Sequence, residues 1–246
     1  MSFRKVFHTL AMIAPIAIAG ALADCDAARI SINGEEGKRL ADLDLAGQAP
    51  TELAMLGPDR VQVSEGPALA IAVEGDPAVT DLVRFTLKDG TLGVLRANTS
   101  DSSGIATIKV TMPALREVSM LGSGMIEAAA LATEAKVAIL GSGSIATPSV
   151  KAAALSVDLA GSGHYRAGGS AETLKLNIAG SGSAAMDTLH VDKGSINIAG
   201  SGQARFASDG EISAKILGSG DVTVIGRARC TVDALGSGKL NCQPAP

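Results

Sequence analysis

The sequence predicts an all-β protein, a parallel β-helix or solenoid with coils of about 18–20 residues and Gly-Ser-Gly corners. Three observations predict it. Gly-Ser-Gly returns seven times, with its first glycines spaced 19, 20, 19, 20, 18 and 18 residues apart. Each copy follows a short alternation of apolar and polar residues, the periodicity of a strand. Aromatic residues make up only 2% of the chain, with no Trp, one Tyr and four Phe, so the core is built from small aliphatic side chains and suits a narrow stacked interior. A coil of this length is too short for two packed helices and cannot bury its apolar face alone. Stacking at about 4.8 Å pairs every strand with the coils above and below, and seven coils make a rod of roughly 30 Å. A β-sandwich, the alternative, would need facing strands of unlike sequence.

The first segment reads as a leader. Residues 1–23 show a basic start (Arg4, Lys5), an apolar run from Leu10 to Ala21, and Ala21-Leu22-Ala23, the pattern of a secretory signal peptide cleaved before Asp24. Residues 24–28 form a short tail. No later run of about 20 apolar residues follows, so no transmembrane segment is expected in the mature chain. Leu22-Ala23-Asp24-Cys25 also sits where a bacterial lipoprotein would place its lipidated cysteine, but Asp24 is neither small nor uncharged; the plainer reading of Cys25 is a near-terminal thiol.

Cleavage removes Arg4 and Lys5 and no acid, leaving 19 Lys and Arg against 25 Asp and Glu. No basic footprint for nucleic acid is present, and the acidic balance favours solubility without identifying a partner.

From Asp24 to Arg116 the chain reads as extended segments separated by turns. Ile30 and Ile32 precede Asn33-Gly34; Leu43 and Leu45 precede Gly47; Val61 and Val63 precede Glu65-Gly66-Pro67; Leu69, Ile71 and Val73 precede Gly75-Asp76-Pro77. Phe85 and Leu87 lead into Asp89-Gly90, the best hairpin signal in the chain, and Leu92 and Val94 follow it. Ile105, Ile108 and Val110 continue to Pro113. Asp76 to Val83 has room for one helical turn, and Asn98 to Gly104 is polar and small, hence a loop.

The repeats occupy residues 116–242. Four residues before each first glycine stand Val118, Val137, Val157, Leu176, Ile196, Ala214 and Val232, and two before it Met120, Ile139, Leu159, Ile178, Ile198, Ile216 and Ala234. The corners are Gly122-Ser123-Gly124, Gly141-Ser142-Gly143, Gly161-Ser162-Gly163, Gly180-Ser181-Gly182, Gly200-Ser201-Gly202, Gly218-Ser219-Gly220 and Gly236-Ser237-Gly238. Glycine is expected there because a corner needs dihedrals, or a close approach between coils, that a Cβ would obstruct. The serines are expected to stack, their hydroxyls bonding to one another or to backbone.

Immediately before each first glycine stand Leu121, Leu140, Ala160, Ala179, Ala199, Leu217 and Leu235. The preferred reading is that the bend begins here and turns this column inward. The alternative is an exposed apolar stripe used for self-association or a partner. Cys230 and Cys242, twelve residues apart in an exported chain, read as a disulfide pinning the last turn; the alternative is two reduced cysteines filling the core.

These features carry a resemblance. Pro58-Asp59-Arg60-Val61-Gln62-Val63-Ser64, then Val73-Glu74-Gly75-Asp76, then serial Gly-Ser-Gly turns and a terminal cysteine pair resemble the bacterial GIN-domain family of autotransporter adhesin head domains, over roughly Arg29 to Cys242. The resemblance implies an extracytoplasmic β-solenoid over residues 29–243, with 244–246 as a tail, and a role in adhesion or envelope interaction, at the periplasm or cell surface. No membrane barrel is expected after Gln243-Pro244-Ala245-Pro246.

The resulting expectation is a non-enzymatic structural or interaction module whose partner is an unidentified envelope or surface component, or a second copy. The alternative is a carbohydrate-active β-helix enzyme or glycan-binding protein. Its candidates are His164, Tyr165 and Arg166 with Asp158 in the same repeat, and His190 with Asp192. No catalytic set, cofactor site or metal site is assigned. Calcium-binding repeats need an aspartate at a fixed place beside each turn, and that place varies here among Met, Ser, His, Gln, Asp and Lys. Gly-Ser-Gly lacks the glycine spacing and lysine of a phosphate-binding loop.

Overall fold

A computed structural model describes residues 31–32, 34–97 and 104–244. The leader, the tail with Cys25, residues 29–30, most of the polar loop (98–103) and the last two residues lie outside the described residues.

The strands are, in order, β1 (Ser31–Ile32), β2 (Glu35–Glu36), β3 (Glu52–Leu56), β4 (Arg60–Glu65), β5 (Ala70–Glu74), β6 (Val83–Lys88), β7 (Thr91–Arg96), β8 (Thr107–Met112), β9 (Leu115–Gly122) and β10 (Met125–Ala128). There follow β11 (Leu131–Gly141), β12 (Ser144–Gly161), β13 (His164–Gly180), β14 (Ser183–Gly200), β15 (Gln203–Ala207), β16 (Glu211–Gly218), β17 (Asp221–Ile225), β18 (Arg229–Gly236) and β19 (Lys239–Gln243). The molecule is nearly all β, with a solenoid of about seven turns.

Two walls of parallel strands meet at the glycine corners. The first wall stacks β7, β3, β9, β11, the ends of β12, β13 and β14, then β16 and β18. The second stacks β8, β4, β10, the starts of β12, β13 and β14, then β15, β17 and β19. Between β12 and β13 the pairing runs in three stretches, 144–147, 150–152 and 154–161 of β12, so a full coil has a short third side as well.

Spatial order departs from chain order at the N-terminal end. β3 and β4 form one coil, but the next parallel coil in sequence, β7 with β8, stacks beneath them, and β9 returns to pair on β3's other edge. β6 closes the first wall antiparallel to β7, and β5 closes the second antiparallel to β8. The turn between β6 and β7 is Asp89-Gly90 with φ of 51° and 79°, the doubly left-handed geometry that this dipeptide favours. A single helical turn, α1 (Pro77–Thr80), is capped by Asp76, whose Oδ1 accepts from Ala78 N at 2.9 Å. This end of the rod is therefore closed by antiparallel strands, which prevents open-ended stacking.

Inward positions form the core. Val118, Val137, Val157, Leu176 and Ile196 are fully buried in successive layers, as are Met120, Ile139 and Ile126. Each such side chain contributes roughly 1.5–3 kcal/mol relative to exposure. Tyr165 fits the same interior by ending its ring in a hydrogen bond, Oη to Thr147 Oγ1 at 2.7 Å.

At the corners, the first glycines Gly122, Gly141, Gly161, Gly180, Gly200, Gly218 and Gly236 have φ between 113° and 128°, a region L-residues rarely adopt. Backbone bonds tie successive corners: Ser142, Ser162, Ser181, Ser201 and Ser219 each donate N–H to the first glycine carbonyl one coil below, at 2.9–3.0 Å. The second glycines Gly124, Gly143, Gly163, Gly182, Gly202, Gly220 and Gly238 press against the layer beneath. A Cβ on Gly143, for example, would stand 2.7 Å from Met120 Cγ and 2.9 Å from the Gly124 carbonyl.

The column before the first glycine does not turn inward. Parallel pairing holds each strand through its first glycine, as in Leu140 against Ala160 and Gly141 against Gly161, so alternation persists and the bend is made one residue later. Leu121 is buried, Leu140, Ala160 and Ala199 are half-buried, Ala179 is exposed, and Leu217 and Leu235 are 56% and 72% exposed. The same column continues through Leu56 and Leu95, where Ile32, Ala54 and Leu95 form a small apolar cluster on the outer face with Leu56 packed against it. Cover by Ile32, and not inward rotation, accounts for the burial of Ala54 and Leu95.

Two further expectations are corrected. Leu43 and Leu45 lie in no strand; a 3-10 turn, Leu40–Asp42, precedes them. Ile105 is 62% exposed ahead of β8. Conversely, β3 was not expected, because Leu53-Ala54-Met55 is a continuous apolar run: all three are buried, covered on both faces, so no alternation marks the strand.

Candidate functional site

The outer face of the second wall carries a groove of about 750 Å³. Parallel register builds it from two adjacent columns. Ser183, Gln203, Asp221 and Lys239 stack in one, and Ala185, Arg205, Thr223 and Asn241 in the next. Ser219 and Ser237 from the corners complete the rim, with Ser237 Oγ donating to Ser219 Oγ at 3.0 Å. Because each outward residue is one step along a strand from an inward one, the groove rests on buried Ala184 and Ala204, whose short side chains belong to the core.

The lining offers donors and acceptors in close alternation. Asp221 stands one rung from Lys239, and Arg205 is held by an ion pair from its Nε to Asp187 Oδ1 in the coil below. Exposed pairs of this kind contribute about 0–1 kcal/mol each, so they orient side chains more than they stabilise the fold. On the first wall a buried-edge amide ladder plays the same part: Asn177 donates to Asp158 Oδ1 at 2.7 Å and Asn197 to Asn177 Oδ1 at 2.9 Å. At the 18-residue coils, Asp209 accepts from Arg227 N at 2.8 Å, and that bond with the nearby guanidinium holds its carboxyl below the usual range.

The candidate acid–base residues are not brought together. Tyr165 points into the core, and burial pushes its hydroxyl far above the ordinary value. His164 and Arg166 are exposed on the second wall, whereas Asp158 lies on the first, bonded to Asn177. His190 falls on the third side, and Asp192 in the break that follows it. One contact is suggestive: His164 Nδ1 lies 2.7 Å from Ser183 Oγ at the groove's end. A nucleophile–base pair also needs a third group to orient the base, and Asp158 is not placed to serve. No group of three or more His, Cys, Asp or Glu residues able to hold a metal occurs among the described residues.

Cys230 and Cys242 form a disulfide with Cα atoms 6.7 Å apart, linking β18 to β19 in the last layer. Sequence reading missed an eighth corner: Gly57 has φ of 146°, its carbonyl accepts from Gly124 N at 3.0 Å, and Gly57-Pro58-Asp59 stands where later coils have Gly-Ser-Gly. The signal was Leu53-x-Met55-Leu56-Gly57, matching Val118-x-Met120-Leu121-Gly122, but the inserted β5 to β8 segment broke the period.

A rod of stacked coils, capped at one end and bearing a polar groove on one wall, defines the class of protein: a β-solenoid. The family model described as "Putative auto-transporter adhesin, head GIN domain" matches residues 49–228, and the chain belongs to that family. Among solved structures, a putative adhesin from Bacteroides fragilis is similar with a TM-score of 0.72 and 17% identity, covering 80% of this chain and 93% of that one. A putative lipid binding protein from Parabacteroides distasonis gives 0.61 and 22%, covering 80% and 93%. A putative adhesin from Parabacteroides merdae gives 0.60 and 18%, covering 80% and 92%. At these identities the likeness is one of fold. No curated protein shows significant similarity to the chain. No helix among the described residues is long and apolar enough to cross a membrane.

Proposed function

We propose that this protein is an exported, non-enzymatic interaction module of the bacterial cell envelope, adhesin-like in action, which meets an envelope or surface partner through the polar groove on its second wall. Residues 1–23 direct export and are removed, 24–28 and 244–246 are tails, and 29–243 form the working solenoid, at the periplasm or cell surface. The observation that carries this reading is the pair of register columns from Ser183 to Asn241. They set amide, hydroxyl and charged groups at the repeat of a strand stack, about 4.8 Å, on a backbone that cannot flex independently of its neighbours. Family membership supports it. Such a surface suits extended, hydroxyl-rich or mixed-charge partners.

The second reading, a carbohydrate-active β-helix enzyme, draws on the His164–Ser183 contact. One experiment separates the two. The chain and a groove variant, Gln203→Ala with Asn241→Ala, are applied to an immobilised glycan panel and to bacterial envelope fractions, with product release followed in parallel. Retention that falls in the variant, without product, is the expected result. Turnover abolished by Ser183→Ala or His164→Ala would overturn it in favour of the enzyme.

A further inference from the structure

We propose that the C-terminal layer of the solenoid pairs with the same layer of a second copy, β18 against β18 in antiparallel register centred on Thr231, joining two rods end to end. The proposal rests on the interaction reading above only in taking self-association as one mode of contact; its determinants lie outside the groove. The two ends of the rod differ. The first is closed by β5, β6 and α1. At the second, β18 pairs with β16 alone and β19 with β17 alone among the described residues. The core is cut open there. The inward position that is fully buried at Val118, Val137, Val157, Leu176 and Ile196 is 52% exposed at Val232, and Ala234 is exposed as well. An edge with unpaired backbone groups above an apolar face is a template for another strand, and a closed pair about a two-fold axis satisfies both copies at once.

Charge selects the occupant and the register. Outward along β18 stand Arg229, Thr231, Asp233 and Leu235. Centring on Thr231 sets Arg229 opposite the partner's Asp233 and Asp233 opposite the partner's Arg229, while Cys230 faces the partner's Val232 on the inner side. Centring on Asp233 would oppose two carboxylates, and centring on Val232 sets Arg229 against Leu235. The favoured register also continues the sign alternation already present within one rod, where Arg229 neighbours Glu211 and Asp233 neighbours Lys215 one layer in. Directly opposed charges of unlike sign stabilise a strand pair and like charges destabilise it.

Sedimentation velocity over a concentration series tests this on the chain as recovered from its producing cells. The expected result is a monomer–dimer equilibrium. Asp233→Arg and Arg229→Asp each shift its midpoint to roughly tenfold higher concentration or more, and the double reversal restores it, with circular dichroism showing every variant folded. A parent chain that stays monomeric overturns the proposal, whether residues 1–30 cover the edge or the exposed apolar end instead binds neutral phosphatidylcholine vesicles. Single reversals that dimerise as the parent does overturn it too. Loss of end pairing leaves groove binding intact, and loss of groove binding leaves the dimer, so the two failures are distinguishable.

Discussion

Arg96, the last residue of β7, donates from Nε to Asp59 Oδ2 at 3.1 Å and from Nη2 to Asp59 Oδ1, joining two coils that stack out of chain order. Asp59 occupies the third place of the first corner, where the seven Gly-Ser-Gly corners have glycine. Both side chains are buried, 7% and 2% exposed, and their remaining valences are met: Ala106 N donates to Asp59 Oδ1 at 2.8 Å, and Arg96 Nη1 donates to the Gly104 carbonyl at 2.9 Å. The pair thus marks the seam at which the inserted coil meets the regular stack.

Removing one partner strands a charge. Asp59→Ala is expected to destabilise the chain by about 3–5 kcal/mol, whereas replacing both residues by apolar ones of similar volume costs far less. Urea unfolding midpoints of the single and double variants check this; equal losses would show that the seam depends on something other than the pairing.

The corner glycines differ from the corner serine in what surrounds them. A Cβ on Gly163 would collide with Ile139 Cγ2 and lie 2.8 Å from the Gly143 carbonyl, and one on Gly161 would add a strained φ of 113° at 2.5 Å from the Gly141 carbonyl. Gly161→Ala and Gly163→Ala are each expected to cost about 1–3 kcal/mol. Ser162→Ala, on an exposed side chain, stays within about 0.5 kcal/mol. Thermal and urea denaturation of the three variants give the comparison.

Tyr165, the chain's lone tyrosine, reports on the core directly. Burial raises its pKa and the Thr147 bond only partly offsets that. The folded state therefore holds the phenolic proton more tightly than the unfolded state does. The linked stability is fully present below the ordinary tyrosine value of about 10 and declines as pH rises above it. Ultraviolet difference absorbance should show no phenolate until the chain unfolds in alkali. Tyr165→Phe removes this part of the pH dependence and costs about 1–3 kcal/mol by leaving the buried Thr147 hydroxyl unpaired.

Much of the fold was legible because it repeats. Alternation at Val118, Met120 and their counterparts marks inward positions, and Asp89-Gly90 marks its hairpin, since both signals are local. The column from Leu121 to Leu235 was misread because apolar character alone does not say which face a residue takes; pairing of the strand through its first glycine decides that. The groove was not legible either. Its lining is polar, variable and spread over coils from Ser183 to Asn241, and only register gathers those residues.

Coil length, the strand class of each repeat and the glycine preference at the corners are readable from the residues, because each follows from spacing within one or two coils; the cysteine spacing allows a disulfide, and the structure forms it. Tertiary structure alone decided the order in which the first coils stack, which outer faces are covered, and where the core lies open. Those depend on contacts between segments far apart in the chain, such as Asp59 with Arg96, for which no local period exists.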